Sequence, residues 1–372
     1  MITASPPTRH PQPRREPHHP PQRPDDTAAS AVSWQRELAA AIEDPLELCR
    51  LLQLDPAVAL AGLGAAQGFR LRVPRGYVAR MRRADPNDPL LRQVLPQAAE
   101  LIERSGYCSD PLAEADSRRA PGLLHKYHGR ALLLTTAACA VHCRYCFRRE
   151  YPYGEVQGPW LTEALDIIRQ DPSIEEVILS GGDPLTLATA RLRRLTGQLA
   201  EMPHVRRLRL HTRTPIVLPE RIDESLCRWL SALPWPVVFV LHANHARDVD
   251  AQVRIALQRL RASGATLLNQ AVLLAGVNDS VEALHGLSEA LWEAGVLPYY
   301  LHLLDPVRGT AHFAVDERHA RELMAGLAAR LPGYLVPRLV RESAGEPAKR
   351  VIAPAAWSTE RDALHSPRRG EC

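Results

Sequence analysis

The pattern of apolar positions changes once along the chain, near Leu124. Before it, from Trp34 to about Arg104, Leu38, Ile42, Leu46, Leu48, Leu51 and Leu52 fall at the spacings that place apolar side chains on a helical face. This predicts a small helical subdomain. Its last part, from Val73-Pro74-Arg75 to Asn87-Asp88-Pro89, is cut by prolines, which lack an amide hydrogen and end helices. After Leu124, short apolar runs alternate with longer helix-like segments; the runs are 131–134, 177–179, 208–210, 237–241, 266–274 and 298–304. Each is followed by enough chain for a helix and a return, the beat of repeated β-α units. The expected fold class is α/β: a partial (β/α)6 TIM-like barrel of six parallel strands, open on one side. No internal repeat shows in the sequence.

The domain reading follows the same pattern: a Pro-rich lead over 1–30, a helical subdomain over 31–120, the barrel over 121–353 and a polar tail over 354–372. The lead has almost no bulky apolar residues, so burial cannot offset the entropy of ordering it, and it is expected to be disordered. Its His10, His18 and His19 read as part of a solvated polar tail. Polar residues gather at the C-terminal ends of the runs, in Ser180-Gly181-Gly182-Asp183, His211-Thr212-Arg213, His242-Ala243-Asn244-His245 and Asp305. In barrel-like parallel folds the active site lies at that edge.

Composition narrows the class. A chain of 372 residues, 45% of them hydrophobic, can bury one large core or two moderate ones. No stretch approaches the roughly 18 consecutive apolar residues of a membrane span, and Met-Ile-Thr-Ala-Ser-Pro-Pro opens no signal core. Cytoplasm is the expected compartment, and it suits reduced thiols. A net charge of +4 gives no argument for nucleic acid, since much of the excess is arginine in the ends, such as Arg14-Arg15 and Arg368-Arg369.

The strongest chemical signal is Cys139, Cys143 and Cys146 in Cys-Ala-Val-His-Cys-Arg-Tyr-Cys-Phe, directly after the first run. That spacing wraps one segment around an iron-sulfur cube and holds three of its four irons, with no fourth cysteine nearby. A vacant corner points to a small molecule that binds there and is reduced. A zinc knuckle needs a fourth ligand, and His142, between two of the cysteines, is the local candidate. Seven cysteines are an odd number for a disulfide framework, and Cys49, Cys108, Cys227 and Cys372 read as buried or free thiols.

Two further features join it. Gly181 and Gly182 stand at a strand end where a ligand can approach closely, and there Ser180 to Asp183 could line the amino group of a bound methionine moiety. Gly-Gly alone usually marks a turn. Lys349 lies in the loop Ala344-Gly345-Glu346-Pro347-Ala348-Lys349, and the chain has only one other lysine, Lys126. In so arginine-rich a sequence a lysine at the active-site edge hints at imine chemistry with an aldehyde cofactor, which a guanidinium cannot perform.

The cysteine run, the Ser-Gly-Gly-Asp-Pro turn and the late loop lysine together resemble the radical S-adenosylmethionine enzymes of the lysine 2,3-aminomutase group. Five stretches look most like its branch that β-lysylates elongation factor P. They are Pro121 to His128, Cys143 to Arg149, Leu267 to Leu274, Pro298 to His302 and Gly345 to Lys349. The similarity runs from about residue 34 to about 353.

The resemblance implies three cofactors: a 4Fe-4S cluster on Cys139, Cys143 and Cys146, S-adenosylmethionine on its open iron, and pyridoxal phosphate held by Lys349. It assigns Lys126 and Arg130, read as lying before the first strand, to the cofactor phosphate, and Ser180, Gly181, Gly182, Asp183, His242 and Gln270 to S-adenosylmethionine. Arg148 is the expected clamp on the substrate carboxylate, and Asp305 and Glu342 the two acids that grip the far amine of lysine. The implied reaction turns (S)-α-lysine into (R)-β-lysine. An external electron donor, a ligase and elongation factor P are implied partners, with a homo-oligomer possible. Lysine-degrading members carry a glycine-rich stretch before the imine lysine and a cysteine-bearing zinc extension; here Gly-Glu-Pro-Ala-Lys and Cys372 stand instead, which favours the translation-factor branch. The alternatives are a lysine 2,3-aminomutase of catabolism or metabolite synthesis, and a non-catalytic iron-sulfur or zinc module.

Overall fold

In the computed structural model, which describes residues 34–156 and 160–356, ten strands form one sheet in strict chain order. They are β1 (Arg118–Ala120), β2 (Leu123–Tyr127), β3 (Arg130–Leu134), β4 (Glu176–Ser180), β5 (Arg207–Thr212), β6 (Val237–Leu241), β7 (Thr266–Val272), β8 (Leu297–His302), β9 (Arg338–Arg341) and β10 (Arg350–Val351). From β3 to β9 every neighbour is parallel, while β1 and β2 at one edge and β10 at the other are antiparallel. The sheet does not close, as expected of a partial barrel. All six expected runs are strands, and β9 adds a seventh parallel one. The Pro-rich lead over 1–30 and the chain from 357 onward lie outside the described residues.

Helices cross between successive parallel strands: Trp160–Gln170, Thr189–Ala200, Glu224–Ser231, Ala251–Ala262, Val281–Glu293 and Glu317–Ala328. Four of them start where the sequence supplies a cap. The side chains of Asp223, Asp250, Ser280 and Asp316 accept from the amides of Leu226, Val253, Ala283 and His319. Covered by helices, β4 is buried along its whole length, which is why its run reads as unbroken apolar sequence. Among the described residues no helix is long and apolar enough to cross a membrane.

The N-terminal region is helical, but its helices are only four to seven residues long. Asp-Pro pairs set the starts: Asp44, Asp55 and Asp88 each cap a helix that opens on the next proline. The continuous stripe read from Leu38 onward is therefore interrupted, and Leu46 is 39% exposed. One apolar core still runs from Trp34 to Ile352, so these helices pack on the sheet. Buried ion pairs fix them to the segment after β3. Arg144 makes a two-point bond to Glu100 at 2.9 and 2.5 Å and donates to Phe69 O, and Arg149 reaches the same Glu100 at 2.8 Å.

Candidate active site

A cavity of about 430 Å³ opens at the C-terminal ends of the parallel strands. All fifteen residues singled out from sequence line it: the three cysteines, Lys126, Arg130, Arg148, Ser180 to Asp183, His242, Gln270, Asp305, Glu342 and Lys349. Its size lies in the range of small-molecule sites, about 300–1,000 Å³.

One wall is the cysteine loop after β3. Thr135 anchors its start, donating from both amide and hydroxyl to Ser180 O at 2.9 and 3.0 Å. Gly181, at φ +124°, has no room for a side chain: a Cβ would lie 2.5 Å from Thr136 O, and one on Gly182 would meet Ala138 O. The amides of Gly182 and Asp183 donate to those carbonyls at 2.7 and 2.8 Å. The glycines thus admit the chain's own cysteine loop, while their backbone still lines the cavity. Asp183 is likewise spent within the chain, accepting from the amides of Leu185, Arg213 and Thr214 and from the Thr212 hydroxyl.

Burial, and then the charge of neighbouring thiolates, pushes the Cys139 thiol up and the Cys146 thiol to about 11. Thiolate ligands in this wall need a cationic partner, and an iron-sulfur cube fits that demand. His142 lines the cavity beside the cysteines, but its ring nitrogen and face are already engaged. Its Nδ1 lies 2.9 Å from Arg70 O and its ring stacks on Phe69, so it is occupied by the helical region.

Across the cavity lie the lysines. β9 and β10 form a hairpin in which Arg341 faces Arg350, so the next rung brings Glu342 opposite Lys349. Lys349 Nζ donates to Glu342 Oε2, while Oε1 accepts from Lys126 Nζ at 2.8 Å and the Tyr127 hydroxyl at 2.9 Å. Burial works to raise the Glu342 carboxyl, yet Lys349 and Lys126 hold it at about 2. Asp305 goes the other way, pushed up to about 7 by burial and by the charge of Glu342. Lys126 lies inside β2, not before the first strand as read from sequence, and Arg130 opens β3 across the turn. Both cations cover the Tyr127 ring, at 5.5 and 4.7 Å.

Between these ends, Gln270 Nε2 donates to His242 Nε2 at 2.8 Å, and burial holds His242 neutral, at about 3. His211 sits edge-on to His242, and the buried Nε2 atoms of His211 and His302 have no hydrogen-bond partner. Arg148 is already gripped: Nε and Nη2 go to Glu114 at 2.8 and 2.6 Å, and Nη1 to Ser180 Oγ at 3.2 Å. The two-point edge expected to face a substrate carboxylate is thus turned to Glu114, leaving the Nη1 side toward the cavity.

Sequence reasoning missed Glu114 and assigned no role to Tyr127, His211, His302 and Arg213, although all four fell in stretches it had singled out. Arg213 stood in a strand-end polar cluster, where position was the available signal. Glu114 comes from a single turn, Glu114–Ser117, whose local sequence carries no mark of its partner.

A model of the 4Fe-4S single cluster domain matches residues 128–206. The chain is 49% identical to the L-lysine 2,3-aminomutase of Escherichia coli (strain K12) over 86% of this chain and 94% of that protein. To the L-lysine 2,3-aminomutase of Haemophilus influenzae it is 43% identical, over 86% and 96%. Among solved structures, a radical SAM methyltransferase from Sphaerobacter thermophilus aligns at a TM-score of 0.41 and 16% identity, over 59% of this chain and 68% of that one.

Proposed function

Since the chain belongs to the L-lysine 2,3-aminomutase family of radical S-adenosylmethionine enzymes, we propose that it converts (S)-α-lysine to (R)-β-lysine for modification of elongation factor P. The observation that carries this reading is one cavity with three thiols on one wall and, on the other, two carboxylates beside the chain's two lysines. When bound, the cluster and S-adenosylmethionine supply radical initiation, and pyridoxal phosphate supplies the aldehyde that carries the migrating amine.

The protein's own residues bind and orient. Cys139, Cys143 and Cys146 would hold three irons, and with no fourth cysteine lining the cavity one corner stays free for S-adenosylmethionine. Lys349 would attach the aldehyde cofactor, with Lys126 and Arg130 facing its phosphate. His242 and Gln270 offer a fixed, neutral polar surface to S-adenosylmethionine, and Ser180 to Asp183, which seat the cysteine loop, would line its amino group. Arg148 would meet the substrate carboxylate through Nη1. Asp305 and Glu342 would receive the far ammonium, fixing both charge and chain length. The five motif stretches support the elongation factor P branch, and on that reading the enzyme would work in the cytoplasm with an external electron donor and a ligase downstream.

Anaerobic reconstitution with iron, sulfide, pyridoxal phosphate, S-adenosylmethionine and a one-electron reductant tests the reaction: lysine should yield β-lysine and deoxyadenosine. Neither product, from protein loaded with iron, overturns it. Lys349→Ala should keep the cluster and lose β-lysine; retained conversion would remove Lys349 from the imine role. Mass spectrometry of elongation factor P from cells with and without this protein tests the physiological role, and an unchanged mass alongside β-lysine formation assigns the enzyme to other metabolism.

A further inference from the structure

We propose that Arg213 is a positioning residue for the cluster: its guanidinium, bonded to the sulfur of Cys143, sets the reduction potential of the iron-sulfur cube. This rests on the family reading above. Arg213 follows β5 and is 5% exposed. Its amide donates to Asp183 Oδ2 at 2.8 Å, so the strand end fixes where the side chain starts. Nη1 then reaches Cys143 Sγ at 2.8 Å and the Tyr145 hydroxyl at 2.5 Å, while Nη2 reaches Gln93 Oε1 at 2.7 Å and the Tyr77 hydroxyl at 3.1 Å. Gln93 and Tyr77 belong to the N-terminal helical region, so the arginine is braced from both sides of the cysteine wall.

Its charge is not cancelled locally. Arg144 and Arg148 each face a carboxylate in two-point contact, at 2.5 to 2.9 Å. Arg213 has Asp248 at 3.9 Å, and that acid already accepts from the Tyr77 hydroxyl and the amides of Asn244 and His245. Of the groups in direct contact with this cation, the cysteine sulfur is the one that becomes anionic as a metal ligand. Reducing the cube adds one negative charge, and an N–H donor and a buried cation beside a ligand sulfur stabilise the reduced state.

The test is an EPR-monitored dithionite titration of the anaerobically reconstituted holoenzyme. Arg213→Gln should move the cluster midpoint to more negative potential by about tenfold in the reduction equilibrium, ~59 mV for one electron. Arg213→Lys, which keeps charge and loses the fork, should recover part of that shift. Arg221→Gln is the structural control: Arg221 is equally buried but bonds Leu185 O and Leu187 O, so its loss should weaken the fold and leave the potential in place. If Arg213→Gln takes up no iron, Arg213→Lys carries the test: it keeps the charge, loses the fork and should move the midpoint to more negative potential by a smaller amount. An unmoved midpoint in Arg213→Gln at wild-type iron content, or in Arg213→Lys where Arg213→Gln is not loaded, overturns the proposal alone. A wild-type chain that binds no cluster overturns it together with the family reading.

Discussion

Asp305 and Glu342 share one end of the cavity and are driven in opposite directions, Asp305 up to about 7 and Glu342 down to about 2. The two lysines bond Glu342 directly, whereas at Asp305 burial and the charge of Glu342 outweigh the pull of the same lysines. An arriving ammonium is what Asp305 needs to ionise.

Lysine affinity should therefore depend on pH. Below about 7 Asp305 is neutral and binding of the far ammonium must first expel its proton, so the KM for lysine should rise as pH falls through 7. Asp305→Asn should abolish that pH dependence and weaken binding at pH 8. A pH profile of KM with kcat recorded alongside checks this, and a flat wild-type profile between pH 6 and 8 is the contrary result.

Glu342→Gln removes the carboxylate against which both lysines lie. Two ammonium groups, with side chains 14% and 23% exposed, then lose their common partner. β-Lysine formation should fall by about 100-fold or more, on the scale of a charge-assisted contact of about 3 kcal/mol. The wild-type pair also predicts acid behaviour. A carboxyl depressed to about 2 contributes stability that is complete above its unfolded value and lost as pH falls toward 2, so Glu342→Gln should flatten urea midpoints between pH 5 and 2.

Gly182→Ala should act on cluster loading. The new methyl meets the Ala138 carbonyl, so the loop that carries Cys139 must shift. A cost of about 1–3 kcal/mol is expected, with iron content per chain reduced, whereas Gly76→Ala, where a Cβ meets nothing within 4 Å, should leave iron unchanged.

Glu100→Gln strips the carboxylate shared by Arg144 and Arg149. With Arg144 wholly buried, stability should drop by about 3–5 kcal/mol in urea unfolding. Truncating all three to apolar residues should cost less than Glu100→Gln alone, since no cation is then left buried without a partner.

What was legible in the sequence follows from what was local. The six parallel runs stood out because strands buried on both faces leave uninterrupted apolar sequence, as in β4. β9 did not, since Arg338-Leu-Val-Arg341 is short and charged at both ends. Lys126 sits in an edge hairpin whose residues His125 and Lys126 read as polar, which hid β2. The cysteine spacing was legible within eight residues of chain, and Glu342 and Lys349 lie on one hairpin. The bond from Lys126 to Glu342 spans 216 positions, and the grip of Glu114 on Arg148 spans 34 with no pattern to announce it. Asp183 was visible as a polar strand end, but only three-dimensional neighbours reveal that its oxygens are consumed by β5 and the turn after it.

Because the strands lie in chain order, each new one adds beside the last during synthesis, and few distant pairings must wait. The β9–β10 hairpin comes last and delivers Glu342 and Lys349 to the side of the cavity opposite cysteines that emerged some two hundred residues earlier. A nascent chain halted before that hairpin would own its thiols without the amine that answers them.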